Sequence, residues 1–141
     1  MATTTATVSI SSSDLQPGNA LGISASTTLY QTGTTTGLEL VDMGAGKLTQ
    51  ASGEDALHEA LGTVDTSNYV YLANTSTDKD QYIILRIHDT VIGNLGSEEW
   101  LFMPWNMGDA DAEINIEAET SGTIPYEYAI FKSTYTLPAS T

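Results

Sequence analysis

The chain of 141 residues contains no cysteine. This absence excludes disulfide scaffolds, thiolate metal sites and thiol nucleophiles, and it leaves the redox compartment open. Without covalent cross-links the fold depends on a hydrophobic core, and a chain of this size buries about 68–70% of the surface that it exposes when unfolded. The length therefore predicts a single domain with a core of its own.

Basic residues are scarce. The chain has four of them against 18 acidic residues, which gives a net charge of −14. The four are Lys47, Lys79, Arg86 and Lys132. Binding to a phosphate backbone depends on lysine and arginine side chains that release condensed counterions. We therefore expect neither nucleic acid nor an anionic membrane surface to be a direct partner.

Long apolar runs are also missing. No stretch approaches the ~20 apolar residues of a membrane-spanning helix. The N-terminus, Met1–Thr5, has no basic residues followed by an apolar run, so no secretory signal is expected. The sequence thus predicts a protein without a membrane partner.

Aromatic and β-branched runs, separated by turn residues, dominate the second half of the chain. They predict strands over Tyr69–Leu72, Gln81–Ile87, Asp89–Leu95, Glu99–Met103, Ala112–Glu119 and Ile124–Tyr135. Weaker strand patterns, Leu21–Tyr30 and Leu38–Val41, precede them. Short strands at near-regular spacing are typical of β-sandwiches and jelly rolls. We therefore predict an all-β fold, an antiparallel β-sandwich of jelly-roll-like form, with at most one short helix.

The beginning of the chain is rich in Thr and Ser. In Thr3–Ser13 the apolar residues Val8 and Ile10 alternate with polar ones, which indicates a short strand, or an arm that becomes a strand against a neighbour. We predict that residues 1–20 form this arm or first strand and that residues 21–141 form a single β-sandwich domain.

The segment Glu54–Gly62 has the least regular pattern. Its good helix formers, its acids at the start and its terminal glycine favour one short helix. An irregular strand is the alternative for these residues.

Some predicted strands are apolar on both faces. Ala112–Glu119 alternates apolar and polar residues, so that one face packs on a core and the other meets water, whereas Trp100–Met103 does not alternate. In an extended chain Trp100 and Phe102 face one way and Leu101 and Met103 the other. The second face must then be covered by a loop, by the N-terminal arm or by another subunit.

Aromatic residues and Met are enriched at the buried centres of protein interfaces. We therefore favour a homo-oligomer. The residues predicted for its interfaces are Trp100, Leu101, Phe102, Met103, Trp105, Tyr126, Tyr128, Tyr135, Val8 and Ile10.

A catalytic set is not evident in the sequence. Arg86 and His88 share strand parity near Asp89, and a strand-end histidine beside its neighbours is a simpler explanation than a proton-transfer pair. The row Glu113, Glu117 and Glu119 has the residue type for acid/base work on a sugar, but on an alternating strand it is more simply the solvated side. We predict no catalytic residues and no enzymatic activity.

Metal and cofactor motifs are incomplete. Asp109, Asp111 and Glu113 have the spacing of the first three ligands of a calcium loop, but Ile114 stands at the glycine position and Thr120 at the closing glutamate, which leaves at most a loose surface cation site. The cluster of Glu54, Asp55, His58 and Glu59 contains only one histidine and favours a surface helix. The fragment Gly44–Lys47 lacks the full phosphate-loop pattern, so we predict no metal and no cofactor.

The two tryptophans allow another hypothesis. Trp100 and Trp105 are of the type that stacks on sugar rings in carbohydrate-binding modules. The simpler interpretation places Trp100 in a core or interface and lets Trp105, which follows Pro104, anchor a turn.

Three stretches resemble small all-β virion structural proteins of tailed bacteriophages. They are YVYLANTSTDKDQYIILRI, IGNLGSEEWLFMPWNMGDADAEINIEAE and IPYEYAIF, which together span about Tyr69–Phe131. The shared features are strand patterns in the same order, without a catalytic signature. The resemblance implies a capsid decoration (cement) protein, an oligomer and often a trimer, bound outside the shell.

The sequence thus leads to one favoured function and two alternatives. We expect a decoration protein on the outer capsid surface of the virion, with the major capsid protein as its partner and a homotrimer as the favoured assembly. A tail- or neck-associated protein that contacts the host or binds glycans is the first alternative. A small hydrolase or lyase built on the carboxylate rows is the second.

Overall fold

A computed structural model describes residues 4–16, 19–29, 39–50, 55–58, 66–105, 112–119 and 122–136. Those residues contain ten β-strands and no α-helix. The strands are β1 (Thr4–Gln16), β2 (Asn19–Leu29), β3 (Glu39–Thr49), β4 (Asp55–His58), β5 (Thr66–Asn74), β6 (Ile83–Ile87), β7 (Thr90–Leu95), β8 (Trp100–Trp105), β9 (Ile114–Ala118) and β10 (Thr123–Thr136). The predicted all-β class is confirmed.

The strands form one hairpin and two larger sheets. The hairpin pairs β1 with β2, the first sheet has the order β3-β10-β5-β8, and the second sheet has the order β4-β9-β6-β7. The pairings described within them are antiparallel, as predicted. Strand β2 pairs with β1 and with neither larger sheet, and the division of the chain at residue 20 stays a prediction.

One cluster of buried residues draws on both larger sheets. Val70 and Leu72 of β5 and Ile130 of β10 come from the first sheet, and Ile83 of β6 and Ile116 of β9 come from the second. The other members are Leu48, Leu85, Leu95, Trp105, Ile114, Ala118 and Ile124. Period-two alternation explains the selection, since every second residue of a strand faces the same side.

Strand β9 buries the apolar side that the sequence predicts. Ile114, Ile116 and Ala118 are buried, as the sequence predicts, and Glu117 between them is partly exposed. Asn115 departs from the prediction because it is also buried, and its Nδ2 donates a hydrogen bond to Glu113 Oε1 at 3.1 Å.

The helix expected over Glu54–Gly62 is absent from the part of that segment that the structure describes. Asp55–His58 is strand β4, which pairs with β9 and has a register shift between Ala56 and His58. The irregular strand that competed with the helix is therefore correct here. Short isolated helices are marginal in water, and pairing with β9 gives this segment backbone partners that outweigh a weak helix propensity.

Asn74 connects the end of β5 to the second sheet. Its side chain is 1% exposed, and its Nδ2 donates hydrogen bonds to the carbonyl oxygens of Gln81 at 3.2 Å and Leu95 at 3.1 Å. Its Oδ1 accepts a hydrogen bond from the backbone N–H of Ser76 at 3.0 Å. The turn predicted from the polar residues after β5 is thus tied to both sheets by a single amide.

Candidate interaction surface

Strand β5 divides its side chains between two environments. Asn68, Val70 and Leu72 are buried, whereas Tyr69 and Tyr71 lie on the opposite face and are partly exposed. Directly paired residues on neighbouring strands share a face, so the register identifies what surrounds these tyrosines. Tyr71 lies opposite Phe102 of β8 and Ala129 of β10, and Tyr69 lies opposite Phe131 of β10.

The face of the first sheet that points away from the core is therefore apolar and aromatic. We call it the aromatic face. Its large apolar and aromatic members are Leu40, Met43, Tyr69, Tyr71, Trp100, Phe102 and Phe131, and Glu127 lies on the same face. Met43 is 66% exposed and Trp100 is 56% exposed. Contiguous exposed apolar patches on a soluble protein mark interaction sites.

The rings of the aromatic face contact one another. Tyr69 and Phe102 stack with ring centroids 5.4 Å apart, and Phe102 meets Phe131 in a tilted contact at 6.3 Å. Such pairs are favourable beyond the area that they bury. The cross-strand contacts hold the rings in fixed positions, which gives the surface a defined shape.

The edge of the aromatic face near β3 depends on one extra residue. Ile130 pairs with Asp42 and Phe131 pairs with Leu40, so Val41 is additional on β3, and the register shifts there. Val41 packs against the core while Leu40 joins Phe131 on the aromatic face. A β-bulge redirects side chains in this way.

The predicted interface quartet separates as the alternation requires. Trp100 and Phe102 belong to the aromatic face, whereas Leu101 and Met103 pack against the core. The prediction that these two pairs face opposite sides is confirmed.

The N-terminal hairpin lies beside the aromatic face. A cleft of about 210 Å³ separates the two, and it is lined by Thr5, Ala6, Thr7 and Val8 of β1 together with Tyr71, Trp100 and Phe102. The arm was one of three covers that the sequence allowed for this face, and it covers the face only in part.

The hairpin itself has two different faces. The register Val8↔Ala25 and Ile10↔Ile23 places apolar residues on one side, which we call the ribbon face. Thr7 pairs with Ser26 on the other side, where their hydroxyl oxygens are 3.3 Å apart. Val8, Ile10 and Ile23 of the ribbon face are 48%, 49% and 48% exposed.

The remaining residues predicted for interfaces lie elsewhere. Trp105 is 5% exposed within the core cluster, and its indole N–H donates to the carbonyl oxygen of Ala112. A buried indole offers no open face to a sugar, so the pair of stacking tryptophans is not assembled in this structure. The side chain of Tyr135 lies outside the described residues.

Tyr126 and Tyr128 pack against the core side of the first sheet, where they lie opposite Gly46 and Gly44 of β3. Their rings stack at 6.4 Å. A Cβ placed on Gly46 would come within 2.5 Å of the Tyr126 hydroxyl oxygen, so the glycine makes room for the ring. The segment Gly44–Lys47 is therefore part of strand β3.

Two tyrosine hydroxyls donate to carboxylates. Tyr71 donates to Glu127 at 2.9 Å on the aromatic face, and Tyr128 donates to Asp42 at 2.9 Å. Desolvation by burial and the bond to Glu127 raise the pKa of Tyr71. The bond to Asp42, followed by burial, raises the pKa of Tyr128.

The predicted chemical clusters are engaged in local structure. The Arg86 guanidinium contacts Glu117 at 3.2 Å, which makes Glu117 an ion-pair partner rather than part of a free carboxylate row. His88 Nε2 lies 3.4 Å from Asp89 Oδ2, and both side chains are largely exposed. This arrangement fits the strand-end histidine that the sequence favoured.

Metal ligation finds no support in the described part of the chain. No group of three or more His, Asp or Glu side chains converges there. Asp109 and Asp111, and the Glu54 cluster with the side chain of His58, lie outside the residues whose side chains are described. The described residues contain no helix that is long and apolar enough to cross a membrane.

Comparisons with protein-family models, with curated proteins and with solved structures give no match for this chain. The aromatic face and the hairpin are therefore the features of this chain that bear on its function.

Proposed function

We propose that this chain is a structural protein of a bacteriophage virion, a decoration (cement) protein that binds the outer capsid surface. In this proposal the two larger sheets form a β-sandwich of jelly-roll-like form. The protein stabilises the shell through contacts with the major capsid protein and with copies of itself, in a homotrimer. The single observation that supports the proposal best is the open aromatic face.

The aromatic face has the composition of a binding surface. Trp, Tyr and Phe are enriched at interface centres, and a few such anchors supply most of the binding energy. Trp100 and Met43 are each more than half exposed in the isolated chain. A partner that covered them would remove a contiguous apolar surface from water, which is the main driving force for protein association.

The second sheet is polar where β6 and β9 pair, and its exposed apolar residues Val91 and Ile92 lie on the edge strand β7. On the second sheet Arg86 and Glu117 form their ion pair on the face of β6 and β9 that points away from the buried residues. Together with the net charge of −14, this favours an orientation in which the first sheet meets the shell and the second sheet meets solvent. An acidic protein outside the shell also avoids the packaged DNA.

Sedimentation with capsid shells tests the proposal. Shells of the phage that encodes the chain are spun with wild-type protein, with Trp100→Ser and with the matched control Ile92→Ser. Trp100 is 56% exposed and Ile92 is 53% exposed, so neither change disrupts the core. We expect wild type and Ile92→Ser to sediment with the shells and Trp100→Ser to stay in solution. If the wild-type protein does not sediment with the shells, the proposal is overturned.

A glycan-binding protein of the tail or neck is the second candidate. The cleft beside the hairpin favours it, because Trp100, Tyr71 and Phe102 offer ring faces while Thr5 and Thr7 supply hydroxyls. Copy number separates the two functions, since hundreds of copies per particle indicate the shell and a few dozen or fewer indicate the tail.

A further inference from the structure

We infer that the N-terminal hairpin is an exchanged arm: the ribbon face of one copy packs on the aromatic face of a second copy. The inference deepens the proposed function and depends only on its homo-oligomer part. It identifies both halves of the contact, Val8, Ile10 and Ile23 on one copy and Tyr71, Trp100 and Phe102 on the other.

The instability of an isolated hairpin supports the exchange. A two-stranded hairpin is marginally stable in water and needs a packing partner for its apolar face. In this chain β1 and β2 pair only with each other within the described sheets, and about half of each large ribbon-face side chain is exposed. The ribbon face therefore lacks most of the cover that would keep the hairpin ordered.

The contact between the hairpin and the aromatic face within one chain is incomplete. Thr5–Val8 borders the aromatic face, but a cleft of about 210 Å³ lies between them and Trp100 stays 56% exposed. The two surfaces are thus adjacent in the single chain without being packed together, and a contact between copies would fill the cleft.

The low charge of the hairpin favours its contact with another copy. Residues 1–38 contain one charged residue, Asp14, whereas the whole chain has 18 acidic and four basic residues. Two such acidic bodies repel each other when they approach. A neutral hairpin is the part of one copy that can reach the aromatic face of another with least repulsion.

The proposed contact also determines the symmetry of the assembly. A contact between two different surfaces of the same chain is heterologous, and repeated copies of such a contact close into a ring when the rotation between copies closes, and otherwise continue as an open filament. Each member of the ring donates one hairpin and receives one. This geometry suits the proposed trimer, whereas aromatic faces that paired with each other would give a dimer.

Engineered cysteines test the exchange, because the native chain has none. Single variants Val8→Cys and Tyr71→Cys, with different tags, are mixed at low salt and then oxidised at high salt, where the repulsion is screened. We expect disulfides between the two variants. The matched control replaces Val8→Cys by Ser9→Cys, which is exposed on the opposite face of the hairpin and should form markedly fewer.

A double variant that carries both Val8→Cys and Tyr71→Cys in one chain tests the alternative, in which the hairpin packs on its own chain. If the hairpin stays on its own chain, dilution leaves an internal disulfide whose yield does not depend on concentration, and this overturns the exchange. Equal cross-linking of Ser9→Cys and Val8→Cys also overturns it. Exchange requires cross-links between chains that fall with dilution.

A second pair of variants avoids cysteine chemistry. Ile10→Ser with Ile23→Ser removes the ribbon face, and Val91→Ser with Ile92→Ser makes the same change on the exposed edge of the second sheet. Light scattering at high salt should show monomers for the first pair and oligomers for the second. If the first pair stays oligomeric, the exchange is wrong.

Failure of this inference differs from failure of the proposed function. Cross-links between copies without sedimentation on shells support the exchange and overturn the decoration function. Sedimentation on shells without such cross-links supports the decoration function and overturns the exchange.

Discussion

Asn74 donates a hydrogen bond from Nδ2 to the carbonyl oxygen of Leu95 over 3.1 Å. The bond joins the last residue of β5 to the last residue of β7, so it links the sheet that has the aromatic face to the second sheet. A buried amide with both of its groups satisfied fixes the relation of the segments that it joins.

Replacement of Asn74 by alanine should destabilise the protein strongly. Asn74→Ala leaves the carbonyls of Gln81 and Leu95 and the N–H of Ser76 without their partner. Buried groups that lose a hydrogen bond cost about 1–3 kcal/mol. We expect the free energy of unfolding in urea to fall by about 3 kcal/mol. Asn94→Ala, at an exposed position of β7, should change it by less than about 0.5 kcal/mol.

The glycine beneath Tyr126 gives a second prediction. Gly46→Ala places a Cβ 2.6 Å from Tyr126 Cζ, so the ring must move, and overpacking of this kind costs about 1–3 kcal/mol. Gly93→Ala is the control, because a Cβ there meets nothing within 4 Å. Urea midpoints that are equal for the two variants would contradict the close packing of Tyr126 on β3.

Acrylamide quenching of fluorescence tests the different environments of the two tryptophans. Trp100→Phe leaves only the buried Trp105, and Trp105→Phe leaves only Trp100, which is 56% exposed. We expect weak quenching of Trp105 in all states. Trp100 should be quenched strongly in the isolated chain and weakly in the assembled oligomer or on the shell. An assembled particle in which Trp100 stays fully accessible would overturn the role of the aromatic face.

Stability should fall at alkaline pH. The raised pKa values of Tyr71 and Tyr128 mean that the folded chain keeps protons that the unfolded chain releases above about pH 10. The contribution is complete below that pH and is lost as the pH rises toward the folded pKa values. Urea midpoints should therefore drop as the pH rises above about 10.

Variants at the Tyr128 pair identify the source of this pH dependence. Tyr128→Phe has no hydroxyl to titrate, and Asp42→Asn removes the carboxylate that accepts its hydrogen bond. Both should show a smaller alkaline drop than wild type. If neither variant changes the drop, the Tyr128 contact is not its cause.

Much of the strand pattern could be predicted from local sequence. Ile83–Ile87 and Thr90–Leu95 lie within the predicted segments Gln81–Ile87 and Asp89–Leu95. Alternation also separates Trp100 and Phe102 from Leu101 and Met103, because the two-residue period of a strand depends on no distant contact. The apolar side of β9 follows from the same rule.

Features that depend on distant partners could not be predicted in this way. Strand β3 continues to Thr49, well beyond the predicted end at Val41, because Gly44 and Gly46 pair with Tyr128 and Tyr126 far along the chain. Glycine is a poor strand former unless such a neighbour fills the space above it. The position of the hairpin beside Trp100 has no local signal at all.

The extra residue at Val41 determines how much of β3 belongs to the aromatic face. Without the bulge, an uninterrupted register of the same chain would pair Phe131 with Val41 and turn Leu40 toward the interior. The outline of this surface is therefore set by the number of backbone units in a strand as well as by side-chain identity. Length changes in β3, and not only substitutions, would alter which partners the protein can accept.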